Sequence, residues 1–316
     1  MEENILGKSY KITFPSSLYT NVQSINNILN QFHGITPEYS DVIFDTENLK
    51  WIDSEISALL GALFENLNTR RPDLTLFLRH HTKPTESEKL LFKNNFLEHY
   101  LSDSNYHATT TGYTVKFSVI KITNGGLKKS DLSSVSEYLH EELFSHPKWG
   151  ANFETYENQL GFSESIFELA RNISDHSRSE NLIFAGQYYP NKNEFRLAIS
   201  DNGLGIPLTV KTGAQINDTD VNLIDWATKP GNTSKSGKQP RGMGLSYIGD
   251  SLIGNGELII VSGNGFWKLN RDGIISKNTL SQKFNGTYVR ISFLNDRIKK
   301  QDTNQTSTTI SAELPF

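Results

Sequence analysis

The segment Phe167-Glu-Leu-Ala-Arg-Asn-Ile-Ser-Asp-His176 places Glu168, Asn172 and His176 four residues apart. On a helix they drift by only about 80° and share one face, while Ile166, Leu169, Ala170 and Ile173 occupy the other side. An acid and an amide on one face can orient a water molecule and offer an oxygen to Mg²⁺, a cation that takes few protein ligands beside water and phosphate. The same stripe also fits an ordinary solvated helix face. Further on, Ser200-Asp-Asn-Gly-Leu-Gly-Ile-Pro207 follows a strand-like run, Glu194–Ser200. Asp201 there can accept from a base amino group or a ribose, and Gly203 and Gly205 let the backbone approach a ligand; a plain turn would use the same residues.

The third group is Gly231-Asn-Thr-Ser-Lys-Ser-Gly-Lys-Gln-Pro-Arg-Gly-Met-Gly-Leu245. From Lys229 to Arg241 there are four cations and no acid, in a chain of net charge −4. Glycine amides at the start of a helix cradle anions, and Lys235, Lys238 and Arg241 can add charge-assisted contacts to phosphate. A flexible basic surface loop would read alike. Neither a P-loop nor the three-glycine dinucleotide fingerprint is present.

These residues need elements to hold them. The chain has 316 residues, 31 Lys+Arg, 35 Asp+Glu and no cysteine. At about 150 residues per domain the length suggests two domains. The missing cysteines exclude disulfides, thiol nucleophiles and cysteine-based metal sites. The charge balance argues against direct nucleic-acid binding. No run approaches the roughly 20 apolar residues that span a bilayer, and the first residues carry acids where a signal peptide carries bases, so a cytoplasmic protein is expected. Helical periods run over Ser17–Phe32, Ile56–Leu67, Glu86–Leu101, Asp131–Phe144 and Phe162–His176. Ile56–Leu67 reads as amphipathic, with Asp53 or Ser54 placed to cap it. Strand patterns run over Asp41–Asp45, Leu74–Leu78, Tyr113–Thr123, Asn181–Tyr189, Glu194–Ser200, Glu257–Val261 and Gly286–Phe293. The alternation predicts the α/β class, with a boundary near residue 110 and a polar tail, Lys299 to Phe316. The long Gly- and Asn-rich stretch from Asp201 to Leu245 is expected to be a structureless lid or linker.

Taken in order, E-x-x-x-N-x-x-x-H, D-x-G-x-G, G-x-G-L and Phe284-Asn-Gly-Thr-Tyr-Val-Arg-Ile-Ser-Phe293 resemble the GHKL nucleotide-binding fold of gyrase, heat-shock chaperones and sensor histidine kinases. The resemblance covers about residues 112–298 and implies a two-layer α/β sandwich with a mixed sheet, binding ATP with Mg²⁺. It implies Glu168 as general base, Asn172 as Mg²⁺ ligand and Asp201 as the adenine-reading acid. Gly203 and Gly205 would shape the adenine pocket and Thr287 would close its end. Residues 207–241 would form a lid carrying Lys235, Lys238 and Arg241, with Gly242, Gly244 and Leu245 near the phosphates. His176 fits the anti-sigma-factor kinase pattern but receives no chemistry. The chain ends 29 residues after Thr287, which leaves no long transducer domain. His140 stands only 32 residues before Asn172, with no room for a dimerising helix pair, which argues against a histidine kinase. The remaining short form resembles the anti-sigma-factor Ser/Thr kinases.

The preceding residues, Val42-Ile-Phe-Asp-Thr-Glu-Asn-Leu-Lys-Trp-Ile-Asp-Ser-Glu-Ile-Ser-Ala-Leu-Leu60, resemble a STAS domain, the fold of anti-sigma-factor antagonists. That likeness implies Ser54 as a phosphoacceptor in the first turn of a helix, although Glu55 and Ile56 depart from the antagonist pattern; Ser54 as an unmodified helix cap stays open. The expected organisation is 1–111 STAS-like, 112–298 GHKL and 299–316 tail. The expected activity is an ATPase or a Ser/Thr protein kinase acting on a protein partner: a STAS or sigma-factor-like regulator, or the chain's own STAS-like domain. A homodimer fits the same reading. The alternative is a non-catalytic ATP-sensing interaction module in stress or defence signalling.

Overall fold

The computed structural model describes residues 8–79, 84–100, 112–123, 128–146, 156–173, 179–232 and 244–294. Its first part runs β1 (Lys8–Thr13), β2 (Ser17–Leu18), α1 (Val22–His33), β3 (Tyr39–Asp45), β4 (Trp51–Ile52), α2 (Ile56–Arg70), β5 (Thr75–Leu78), α3 (Glu86–Lys93) and α4 (Phe96–Tyr100). Strands β1, β3 and β5 form a parallel sheet in that order, and β2 pairs with β4. The second part runs β6 (Thr114–Lys121), α5 (Lys129–Leu139) continuing into a π-helical turn at His140–Phe144, α6 (Tyr156–Asn172), β7 (Asn181–Tyr189) and β8 (Glu194–Asp201). It then continues through α7 (Ile206–Gly213), α8 (Asp220–Ala227), α9 (Gly244–Leu252), β9 (Gly256–Leu269) and β10 (Ile275–Leu294). The α/β class is as expected.

The second sheet has the order β6-β7-β8-β10-β9. Where a mixed sheet was expected, every pairing among these described strands is antiparallel. Short connections explain two of these pairings: β7 turns into β8 through three residues, Pro190–Lys192, and Asn193, and β9 turns into β10 at 270–274, hairpin links that reverse the chain.

Period-2 alternation gives this sheet two faces. Phe195, Leu197, Ile199, Val289, Ile291 and Phe293 join a core with α5, α6, α8 and α9. On the other face, Ala198, Ile259, Val261 and Tyr288 join the core of the first part. Every residue of β8 is buried because both faces are covered.

Helix α2 explains how the two parts meet. The sequence period suggests one apolar stripe, but Ile56 through Phe64 are all buried. A helix apolar all round is an interior helix, and α2 lies between the sheets. Phe64 stacks on Phe44 of β3, with ring centroids 4.6 Å apart. On the opposite side a Cβ at Gly61 would fall 2.8 Å from the Phe117 ring and 3.1 Å from Ile183. Glycine here permits the close approach of helix and sheet.

Two further expectations change. The helix expected over Glu86–Leu101 breaks between α3 and α4 at Asn95, with φ 71°. The adjacent Asn94 is fully buried; its Nδ2 donates to Ser54 Oγ and Ser57 Oγ at 3.1 Å each, and its carbonyl accepts from the Phe117 amide. The segment expected to be structureless contains α7 and α8, which bury Val210, Val221, Leu223 and Ile224. Pro207 sits in the first turn of α7, where its missing amide proton costs nothing. Among the described residues no helix is long and apolar enough to cross a membrane.

Candidate functional site

Asp201 is the last residue of β8 and is fully buried. Its Oδ1 accepts from the Gly203 amide at 2.7 Å, which bends the chain back immediately after the strand. Antiparallel register places Thr287 of β10 directly opposite Asp201. Ser200 Oγ donates to the Thr287 carbonyl at 3.1 Å, which ties the strand ends together.

Gly205 and Gly286 form the tightest part of this corner. Gly205 has φ 79°, and a Cβ there would lie 2.6 Å from Ser262 Oγ and 2.8 Å from the Gly286 oxygen. At Gly286, φ 122°, a Cβ would come within 2.0 Å of the Asp201 oxygen. Both positions need glycine for conformation and for space. Ser262 Oγ donates to the Gly286 oxygen at 2.7 Å, accepts from the Ile206 amide at 2.9 Å, and lies 3.3 Å from Thr287 Oγ1. Ser262 thus joins β9, β10 and the start of α7. Sequence reasoning did not single it out; a serine between Val261 and Gly263 at the end of an apolar strand was the available signal.

Helix α6 splits as its period predicts. Ile166, Leu169, Ala170 and Ile173 are buried, whereas Asn172 is exposed and the Glu168 side chain is 20% exposed. The Arg171 guanidinium holds Glu168 Oε2 at 3.1 Å. The chain returns from α6 to β7 beside the Asp201 corner, where Ser179 Oγ donates to Asn202 Oδ1 at 2.6 Å.

Helix α8 closes the next side. Asp220 takes Lys211 Nζ at 2.8 Å and the Asn264 amide at 2.9 Å. Asp225 holds the Trp267 indole at 3.0 Å and Lys277 Nζ at 2.8 Å. It also binds Lys229 at 3.2 Å, so the first cation of the basic segment is already paired. Lys235, Lys238, Arg241, Gly242 and His176 lie outside the described residues. Gly244 opens α9, and Leu245 packs against the core beneath it.

A second constellation went unread: a buried ionic cluster between the first part and the second sheet. Arg196 Nη1 stands 3.2 Å from both Asp53 Oδ1 and Glu55 Oε1, and its Nη2 is 3.0 Å from Glu194 Oε2. Its guanidinium lies 4.4 Å from the Tyr189 ring centroid. Tyr189 OH donates to Glu55 Oε2 at 2.7 Å, and Arg290 reaches Glu257 at 3.2 Å. Burial, then the neighbouring Asp53 charge, raise the Glu55 pKa against the pull of both arginines. Arg196 and Arg290, flanked by apolar neighbours in their strands, were not singled out in the sequence; Asp53 and Glu55, just before α2, cover them.

This cluster also settles the surroundings of Ser54. Its amide donates to Tyr189 OH at 3.1 Å, and the residue is fully buried. Its hydroxyl accepts from Asn94 Nδ2 at 3.1 Å. Neither Asp53 nor Ser54 caps α2 through its side chain. The Asp53 carboxylate is turned toward the Thr20 amide and Arg196 instead.

No family model matches the sequence, and no curated protein matches it. Among solved structures, the topoisomerase IV ATP-binding domain of Francisella tularensis, in complex with a small-molecule inhibitor, is similar at 20% identity. The match covers 36% of this chain and 32% of that one, with a TM-score of 0.21, an overlap too slight to support an inference about function.

Proposed function

We propose that residues 112–294 form a GHKL-type ATP-binding module, through which the chain acts on a protein partner. The observation that carries this reading is the Asp201 corner. A buried carboxylate ends a central strand, faces Thr287 across the ladder, and is lined by glycines that leave no room for side chains. In this reading the Asp201 carboxylate would accept from the amino group of a nucleotide base.

The donors also suit Mg²⁺. Among the described residues no cluster of three or more His, Cys, Asp or Glu side chains could hold a metal alone. The exposed Asn172 amide, with Glu168 one turn earlier, suits a cation that takes most of its ligands from phosphates and water. Bound there, the ion would neutralise charge on the phosphates. Glu168 would take the proton from an attacking water, giving an ATPase, or from a serine or threonine hydroxyl of the partner, giving a kinase. The first part, 8–100, corresponds to the STAS-like module and stays docked on its own ATP-binding sheet.

One observation favours a second reading, a nucleotide sensor without useful turnover: the Arg171 guanidinium already occupies Glu168 Oε2 at 3.1 Å. Incubation of the full chain with labelled ATP and magnesium separates the two, by measuring released phosphate and protein-bound label. Turnover that disappears in Glu168→Gln while ATP affinity persists supports the enzyme. ATP binding with neither product supports the sensor, and absence of ATP binding overturns both.

A further inference from the structure

Beneath the Asp201 corner, two adjacent residues of α2 reach through to its underside. Glu65, its side chain 14% exposed, accepts from Asn181 Nδ2 at 3.2 Å through Oε2, and Tyr100 OH donates to its Oε1 at 3.1 Å. The same Asn181 amide lies 3.3 Å from Asn202 Oδ1, on the residue that follows Asp201. The next residue, Asn66, donates from Nδ2 to the Asn285 carbonyl at 2.8 Å, and Asn285 precedes Gly286 and Thr287. Consecutive side chains of one helix therefore hold the chain on both sides of the corner.

The β10 side depends on this support. The β9–β10 register shifts between Thr279 and Phe284 and again between Phe284 and Thr287, so the ladder is interrupted just before the corner. Backbone groups in such a bulge need other partners. The first part supplies them: Asn26 Oδ1 accepts from the Ser281 amide at 2.8 Å, a His33 ring nitrogen lies 2.8 Å from the Lys283 carbonyl, and Asn66 takes Asn285.

We propose that Glu65 and Asn66 are positioning residues of the nucleotide site, so that docking of the first part and nucleotide binding are coupled. The proposal rests on the ATP reading given above. Binding free energies are reciprocal: if seating α2 tightens the corner, nucleotide must hold α2 on the sheet by the same factor. A partner that draws the first part away would release nucleotide, and nucleotide would oppose that partner.

The test uses the full chain with Asn66→Ala and, as a control in the same interface, Asn26→Ala. Amide exchange is followed on nucleotide-free protein for peptides covering 201–206 and 284–288. Loss of one hydrogen bond is expected to speed exchange in both peptides about three- to tenfold in Asn66→Ala, and to weaken Mg-ATP binding by a similar factor. Asn26→Ala, whose contact lies at Ser281 further from the corner, should change exchange at 201–206 and the ATP affinity less than Asn66→Ala does, even where it lowers the melting temperature. Should Asn66→Ala fail to fold, Asn66→Asp, which keeps the shape and removes the donor, replaces it. Wild-type exchange at 201–206 in the Asn66 variant, or equal effects from Asn26→Ala, overturns the proposal. If the wild type binds no Mg-ATP, the nucleotide reading falls, and exchange alone decides whether α2 holds the corner.

Discussion

Replacing Arg196 with methionine keeps most of the side-chain volume and removes the one guanidinium that touches Asp53, Glu55 and Glu194 within 3.2 Å. Arg290 remains, but at 3.8 Å from Glu55 and 3.6 Å from Glu194. Removing one partner of a buried ion pair costs about 3–5 kcal/mol. That is a large share of the roughly 5–15 kcal/mol that holds a domain folded. Asp53 and Glu55 come from the first part and Arg196 from the second sheet, so the loss falls on the contact between them. Urea unfolding followed by tryptophan fluorescence measures it, since Trp51 lies beside Tyr189 at this contact.

Acidity gives the same prediction a second handle. Glu55 already has a raised pKa, and losing Arg196 must raise it further. The folded protein then holds a proton that the unfolded chain releases, so stability falls as pH rises from the ordinary glutamate value through the raised one. Arg196→Met should therefore be least damaging near pH 5 and most damaging at pH 8. Adding Glu55→Gln should recover part of the loss and flatten the pH profile. A loss under about 1 kcal/mol at pH 8, or strictly additive effects of the two substitutions, would refute the anchoring role of the cluster.

Gly205→Ala forces a side chain into a left-handed backbone against Ser262 and Gly286, and should cost about 1–3 kcal/mol in thermal melts while weakening ATP binding. Gly61→Val drives a branched side chain into Phe117 and Ile183, and is expected to lower stability by about 1–3 kcal/mol and to accelerate proteolysis between the two parts. Burial disfavours the Asp45 charge, but hydrogen bonds from Lys11, the Glu47 amide and Arg79 outweigh it and hold its carboxyl well below the usual range. Its stabilisation is complete above the unfolded value near 4 and is lost as pH falls toward the folded value. Acid titrations of Asp45→Asn, followed by circular dichroism, should show that part of the low-pH decline removed.

The α6 stripe was legible because one face of that helix meets a core and the other does not; a 3.6-residue period records that difference. The turn after β8 was legible because Asp201 and two glycines announce a sharp bend. Helix α2 was misread because periodicity within the helix does not show what packs on it, and its second covering, the five-stranded sheet, begins only at Thr114, well beyond the end of α2 at Arg70. Arg196 and Arg290 drew no reading for the same reason: alternation puts them on the face opposite their apolar neighbours, and only tertiary packing decides what covers that face. Helices α7 and α8 were hidden by the Gly, Asn and Thr residues around them, although Pro207 and the Val221–Trp226 run were visible signals. The antiparallel β7–β8 and β9–β10 pairs follow from short hairpin links, whereas the expected mixed order came from resemblance alone.

The most direct measurement is a calorimetric titration of the full chain with Mg-ATP, repeated on Asp201→Asn after its fold is verified by melting. The account predicts saturable binding to the wild type at one site. It predicts about ten- to a hundredfold weaker binding to the variant, as expected for losing a charged hydrogen-bond acceptor. No binding to the wild type, or equal affinity in a folded Asp201→Asn, would contradict it.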